Sequence, residues 1–155
     1  RAWTASGSAA CTRAASRPSS RHHEHRLRSQ GIAYTRLMEI VAGIAVGLVA
    51  LLHLYFLVLE MFLWTKPLGL KTFRNTPEKA EMTKVLAANQ GLYNGFLVAG
   101  LLWGLWLGSA GMQIKVFFLG CVIVAGVYGA WSVSRRILWV QAAPGAIALA
   151  LVLLS

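Results

Sequence analysis

The chain contains no aspartate, and its only acidic residues are five glutamates. Charged residues make up 13% of the 155 residues, which is about half the share that is usual in soluble domains. Its two cysteines, Cys11 and Cys121, are too few for a disulfide framework. The composition therefore argues against a water-soluble globular domain and against a small domain held together by disulfides.

The common motifs for phosphate, dinucleotide and metal binding are also missing from the sequence. It has no P-loop, no GxGxxG, no HExxH and no cluster of cysteine and histidine at metal-ligand spacing. The apolar segments of the chain contain one histidine, His53, and one glutamate near it, Glu60. This pair falls short of the three or four ligands of a usual zinc site. We therefore expect neither a cofactor nor a metal ion.

Residues 1–37 form a tail that is rich in arginine, serine and alanine and has no apolar periodicity. Residues 1–36 contain seven arginines and one glutamate, whereas the remaining chain contains eight basic and four acidic residues. A segment of this composition cannot bury enough apolar surface to compensate for its ordering, so we predict a disordered basic tail. Since most of the net charge of +10 lies there, no basic folded face remains for nucleic acid.

The first methionine is Met38, which leaves three interpretations of the tail. It is translated upstream sequence from a misassigned start, an organelle-targeting segment, or a functional basic arm. Targeting segments are also rich in arginine and serine and poor in acidic residues. The predicted topology depends on this choice, because the tail changes the charge balance across the membrane.

Four apolar segments follow the tail, and each is long enough for a membrane-spanning helix. About 20 apolar residues are needed to cross the hydrocarbon core. The predicted spans are residues 39–64, 85–107, 115–134 and 137–154. We therefore predict an all-α domain over residues 38–155, built as a bundle of four transmembrane helices.

The segments between the spans differ in charge, which predicts their orientation. The first linker, residues 65–84, contains five basic residues, and the third contains Arg135 and Arg136. If translation starts at Met38, the opposite side carries only Lys115. The positive-inside rule then places the first and third linkers in the cytoplasm, and we expect a multi-pass protein of the bacterial inner membrane.

Two sequence signals predict local features of the second and fourth helices. Thr76, Pro77 and Glu78 form a typical helix start, with a capping hydroxyl, a proline in the first turn and an acid near the positive end of the helix dipole. The helix of the second span should therefore begin near Pro77, ahead of its apolar segment. In the fourth span, Pro144 should kink the helix, and Gln141 needs a hydrogen-bond partner.

The first span carries two ionisable residues on one face. His53 and Glu60 are seven residues apart, so they lie within about 20° of the same face and about 10 Å apart along the axis. Ionisable groups inside a membrane are costly and are candidates for function. We predict that His53 and Glu60 are catalytic residues facing the bundle interior, with Trp64 continuing their stripe. Glu60 could instead extend toward Lys66 in water.

The second span opens with four polar side chains within six residues. These are Asn89, Gln90, Tyr93 and Asn94. Their spacing of four puts them in two neighbouring rows, and we predict that they bind a ligand together with Trp64 and with Tyr128 of the third span. The alternative is that they only hold helices together. Gly91 and Gly95 form a small-residue face that permits close approach of a neighbouring helix.

From Met38 onward the sequence resembles a known family. The residues that carry the resemblance are His53–Tyr55, Leu59–Trp64, Thr76–Glu78, Lys84–Phe96 with the string LAANQGLYNGF, Tyr128–Ala130 and Ser134–Leu138. The chain is similar here to the small bacterial and fungal membrane proteins grouped as domain of unknown function 1304. This resemblance implies four transmembrane helices and a start near Met38, and it implies no activity.

Three functions remain open at this point. In the first, the bundle holds a polar pocket for a small or lipid-like molecule, and His53 and Glu60 move a proton in a reaction on it; whether the protein is an enzyme stays undecided. In the second, it is a structural or accessory membrane subunit whose polar groups only specify packing. In the third, it is an oligomeric transporter with Glu60 as proton carrier. The expected partners are membrane lipid, an amphipathic ligand and further copies of the chain.

Overall fold

The computed structural model describes the backbone of residues 19–155 and the side chains of residues 24–155. None of the described residues lies in a strand, so the predicted all-α class is confirmed for them. The helices are α1 (Ser19–Met61), α2 (Pro67–Phe73), α3 (Pro77–Trp106), α4 (Met112–Ser132) and α5 (Ala143–Leu154), with a 3₁₀ turn at Gly108–Gly111 and a π-helical turn at Leu138–Ala142.

The chain divides into two units after Tyr34. In the first unit, the described residues from Ser19 onward are helical, and the side chains from Glu24 to Tyr34 are exposed. Disorder was predicted for residues 1–37, but α1 already begins at Ser19. Arginine, leucine and glutamine favour helices, and extending an existing helix needs only one residue to be ordered for each hydrogen bond gained. The prediction for residues 1–18 lies outside the described residues.

In the second unit, one apolar core draws on four helices. Its buried residues are Ala42, Val46, Val49 and Ala50 of α1, Leu101 of α3, Leu119 and Val122 of α4, and Ala148 and Val152 of α5. Most of these side chains are small or β-branched, which lets helices pack at short range. Many large apolar side chains are exposed outside this core, among them Trp106 and Trp131, each 84% exposed. Such a surface is typical of helices surrounded by lipid.

Three helical stretches are long and apolar enough to cross a membrane. Within the part of the chain that the structure describes, they are Glu24–Met61, Pro77–Trp106 and Gly108–Ser132. The predicted fourth span corresponds to the shorter apolar stretch Leu138–Leu154, so the count of four spanning helices is not confirmed. In that stretch a π-helical turn changes to α-helix next to Pro144, which lacks the N–H that a continuous helix uses.

The predicted start of α3 is confirmed. The helix begins at Pro77, and the Thr76 hydroxyl accepts a hydrogen bond from the Lys79 backbone N–H at 3.3 Å. This cap satisfies one of the free N–H groups of the first turn. The predicted partner of Gln141 is also found, because its Nε2 donates to the Val122 carbonyl of α4 at 3.4 Å.

The linker between α1 and α3 contains a helix that was not predicted. Before Pro67, Lys66 has the extended conformation (φ −88°, ψ 160°) that proline favours in its predecessor, so the chain turns there and starts α2. The helix ends at Arg74, which has a φ of 54°, and the N–H of Arg74 bonds to the Leu70 carbonyl. At Gly69, α2 contacts the Leu63 backbone, leaving no room for a side chain. This short helix positions the turn that follows α1.

Candidate functional site

α1 and α3 approach each other closely at Gly91. A Cβ built on Gly91 would lie 3.2 Å from the Leu57 carbonyl oxygen and 3.2 Å from the Glu60 Cβ, so a side chain there would push the helices apart. One turn later, a Cβ on Gly95 would lie 2.9 Å from a Leu57 methyl. The small-residue face read from the sequence is therefore the face that meets α1, and this contact brings Glu60 against α3.

The strongest polar contact between these helices joins Glu60 to Asn94. The Asn94 side-chain amide Nδ2 donates to Glu60 Oε2 at 2.7 Å. Asn94 is 7% exposed, while Glu60 is half-buried. A hydrogen bond to an ionised carboxylate is shorter and stronger than one between neutral groups. Of the described side chains, only Asn94 donates a hydrogen bond to Glu60.

His53 has a different environment from Glu60. It is fully buried, and its Nδ1 lies 2.8 Å from the Val49 carbonyl oxygen one turn earlier, so Nδ1 carries the donated proton. Its Nε2 is buried without a hydrogen-bond partner among the described residues, and the ring meets Phe56 edge-on at 6.1 Å between centroids. His53 and Glu60 share a helix, but no hydrogen bond of the described residues connects them.

The structure does not bring four of the predicted ligand-binding residues to Glu60. Asn89, Gln90, Tyr93 and Tyr128 are all exposed. The reason for the three on α3 is helix geometry, because consecutive residues are about 100° apart and Gly91 and Asn94 take the face toward α1. Tyr128 instead lines a separate apolar groove of about 700 Å³ on α4. These four side chains therefore do not share the surroundings of Glu60, and their role in ligand binding stays a prediction.

An open groove of about 330 Å³ lies beside Glu60. It is formed by the end of α1, the turn before α2 and the first turns of α3. Its lining residues are Glu60, Met61, Phe62, Trp64, Thr65, Lys84, Val85 and Ala88. The groove thus combines one acidic and one basic side chain with apolar walls, an arrangement suited to an amphipathic molecule.

Trp64 lies in this groove, but not on the helix face that the sequence indicated. α1 ends at Met61, and a turn over residues 62–66 separates it from α2. The Trp64 indole Nε1 donates to the Thr83 hydroxyl on α3 at 3.1 Å, and its ring packs against Phe73 of α2 with 4.6 Å between centroids. Trp64 therefore ties the α1–α2 turn to α3 and forms one wall of the groove.

Lys84 was not predicted as a site residue. Its side chain forms an ion pair with the exposed Glu81 and lines the groove as well. Lys84 precedes Gly91 by seven residues, which is nearly two full turns, so both lie on the face toward α1. This spacing could have identified Lys84 once Gly91 was taken as the contact point. No group of three or more histidine, cysteine or acidic side chains that could hold a metal ion occurs in the described part of the chain.

Sequence comparison places this groove within a defined family. The family described as "Protein of unknown function (DUF1304)" matches residues 47–153, which include both residues of the Glu60–Asn94 contact. The chain belongs to the DUF1304 family. A DUF1304 assignment confirms the resemblance seen in the sequence, and every lining residue of the groove falls inside the matched region.

One relative of this DUF1304 protein is "Uncharacterized protein YpaA" of Lactococcus lactis subsp. lactis (strain IL1403). The two are 31% identical over 106 residues, which cover 67% of this chain and 89% of the relative. No solved structure matches the chain.

Proposed function

We propose that this protein is an integral membrane protein that binds the polar end of a small or lipid-like amphipathic molecule in the groove beside Glu60. The observation that carries the proposal is the Glu60 carboxylate, which is held by Asn94 at 2.7 Å on the wall of an open groove. A half-buried carboxylate within an apolar helix is costly to keep in a membrane protein unless it has a partner or a function.

The chemistry of the groove indicates the kind of head group it would bind. Asn94 engages one carboxylate oxygen of Glu60, and a carboxylate can accept further hydrogen bonds at its other lone pairs. A ligand ammonium or hydroxyl would supply such a donor. The exposed apolar side chains of Phe62 and Val85 border the same groove and would contact the ligand's apolar chain.

Proton transfer, if it accompanies binding, would use Glu60 rather than His53. Glu60 lines the groove, whereas His53 does not, and its Nδ1 proton is committed to Val49. A general acid or base must come within hydrogen-bonding reach of the group it protonates or deprotonates. Glu60 is therefore the catalytic candidate that we retain.

Native mass spectrometry of the purified protein tests the binding proposal. The protein extracted in mild detergent should retain an amphipathic molecule, and Glu60→Gln should weaken its affinity about ten- to a hundredfold and so deplete the bound form, since a charge-assisted contact is worth roughly 1.5–3 kcal/mol. Glu39→Gln removes the same charge from an exposed position on the same helix, and this variant should retain the bound molecule. Equal occupancy in both variants would refute the proposal.

The second candidate is a structural role, and one observation favours it. The Glu60–Asn94 hydrogen bond joins the same two helices that meet at Gly91, so the pair could serve only to fix their packing. In that case Asn94→Ala would lower the melting temperature, while the protein would carry no bound amphiphile before or after the change. Bound amphiphile that depends on Glu60 excludes this role as the sole one.

A further inference from the structure

The groove beside Glu60 has a second charged wall. Lys84, near the beginning of α3, lines it together with Glu60 of α1. The only ion pair of Lys84 among the described residues is with Glu81, three positions earlier on the same helix, and both side chains of that pair are more than half exposed. Exposed pairs of this kind contribute little stability, so the Lys84 ammonium is available to an anionic group in the groove.

The two charges lie in a defined order relative to the apolar part of α3. Glu60 is packed against Gly91, and Lys84 precedes Gly91 by seven residues, about 10 Å along the helix axis. Lys84 is also the last charged residue before the apolar run that begins at Val85. Glu60 is therefore nearer the hydrocarbon, and Lys84 is nearer the aqueous surface.

We propose that the groove selects zwitterionic amphiphiles whose ammonium lies next to the apolar chain and whose anionic group lies farther out. The ammonium would bind Glu60, and the anionic group would bind Lys84. This inference rests on the proposed function and adds the class and orientation of the ligand. It excludes the reverse order, in which the anionic group adjoins the chain, because that head group would place like charges against each other at both ends.

Three single-chain probes separate these possibilities. N-dodecyl-β-alanine has its ammonium next to the chain and its carboxylate outside. Dodecylphosphoethanolamine has the reverse order, and dodecylamine has the ammonium alone. The affinity of the full chain in phosphatidylcholine nanodiscs would be measured for each probe, with the empty nanodisc as a blank for partitioning into lipid.

We expect N-dodecyl-β-alanine to bind at least about tenfold more tightly than dodecylphosphoethanolamine, because the second probe lacks the charge-assisted contacts at both ends and a single one is worth roughly 1.5–3 kcal/mol. Lys84→Gln should reduce this preference without abolishing it, because Glu60 still favours the ammonium next to the chain, and it should not weaken the binding of dodecylamine, which has no anionic group for Lys84. Lys71→Gln, an exposed lysine on α2, is the matched control and should retain the preference. Glu60→Gln should weaken both dodecylamine and N-dodecyl-β-alanine.

The outcomes distinguish this inference from the proposed function. If dodecylamine binds through Glu60 but the two zwitterions bind equally, or if Lys84→Gln has no effect on their ratio, the charge-order inference is wrong and the proposed function stands. If Glu60→Gln changes the affinity of no probe, both are wrong.

Discussion

Asn94 and Glu60 differ in burial, and this difference decides which of the two is more sensitive to substitution. Asn94 is 7% exposed, whereas Glu60 is half-buried and borders an open groove. Removing Asn94 leaves a carboxylate inside the protein without its donor, whereas removing the carboxylate leaves a neutral amide. An unpaired buried charge costs more than an unpaired amide.

We therefore expect Asn94→Ala to destabilise the protein by about 1–2 kcal/mol. Hydrogen bonds between membrane helices reach roughly this value, and a hydrogen bond to a charged group contributes about 1.5 kcal/mol or more. Thermal unfolding in detergent would measure this. Asn89→Ala, an exposed amide on the same helix, should leave the melting temperature unchanged. In Glu60→Gln the cost of Asn94→Ala should shrink, and an equal cost in both backgrounds would contradict a direct interaction.

For His53, in contrast to Asn94, we expect substitution to cause no loss of stability. Its Nε2 is buried without a partner among residues 24–155, and its Nδ1 bonds only to the Val49 carbonyl of the preceding turn. Replacing a buried polar group with an apolar group of similar shape is often neutral or stabilising. His53→Leu should therefore keep or raise the melting temperature, with the exposed His25→Leu as the control. A loss of several degrees would contradict this expectation and show that the buried imidazole stabilises the fold.

At the level of elements, the contact between α1 and α3 is closest to the backbone of α1 at Gly91. We expect Gly91→Ala to destabilise the protein by about 1–3 kcal/mol, as overpacking does, because the new methyl group would lie 3.2 Å from both the Leu57 carbonyl oxygen and the Glu60 Cβ. Gly47→Ala on α1 is the control, since a Cβ there meets nothing within 4 Å. It should be neutral or slightly stabilising, as alanine favours helices. Melting temperatures that fall equally would contradict this account.

The ends of the elements show where sequence patterns sufficed and where they did not. The start of α3 was predictable, because the cap Thr76 and Pro77 act within a single turn. The start of α1 at Ser19 was not, because a composition argument for disorder cannot tell how far a helix extends. The short helix α2 was missed because it lies in a polar linker and has only 7 residues, too few for an apolar periodicity to show.

The sequence indicated which residue types meet at the candidate site, but not which of the amides faces Glu60. Helical spacing indicated that Glu60 faces an amide-rich segment, and Asn94 is the amide it meets. Which of the amides that would be depended on Gly91, since the closest approach of two helices sets which neighbours face each other. Trp64 was expected on the same helix face as Glu60. It does line the groove beside Glu60, but it lies in the turn after α1, which ends at Met61.

For the whole molecule, the alternation of helices and turns decides on which side of the membrane the groove opens. α3 and α4 are each long and apolar enough to span, so the α1–α3 linker and the segment around Arg136 should lie on the same side. The turn at Gly108–Gly111 should lie on the other. Within residues 38–155 the basic residues fit this expectation, since the linker contains five of them, Arg135 and Arg136 follow α4, and only Lys115 adjoins the turn at Gly108–Gly111.

Cysteine labelling would check this arrangement. In a background with Cys11 and Cys121 replaced by alanine, single cysteines at Lys71, Arg136 and Ser109 would be treated with a membrane-impermeant maleimide in intact bacterial cells. Lys71→Cys and Arg136→Cys should behave alike, and Ser109→Cys should show the opposite accessibility. If the basic loops face the cytoplasm, only Ser109→Cys reacts before permeabilisation. Reaction of all three from one side would mean that α3 and α4 do not both cross the bilayer, and the groove beside Glu60 would then lack the membrane boundary on which its proposed ligand depends.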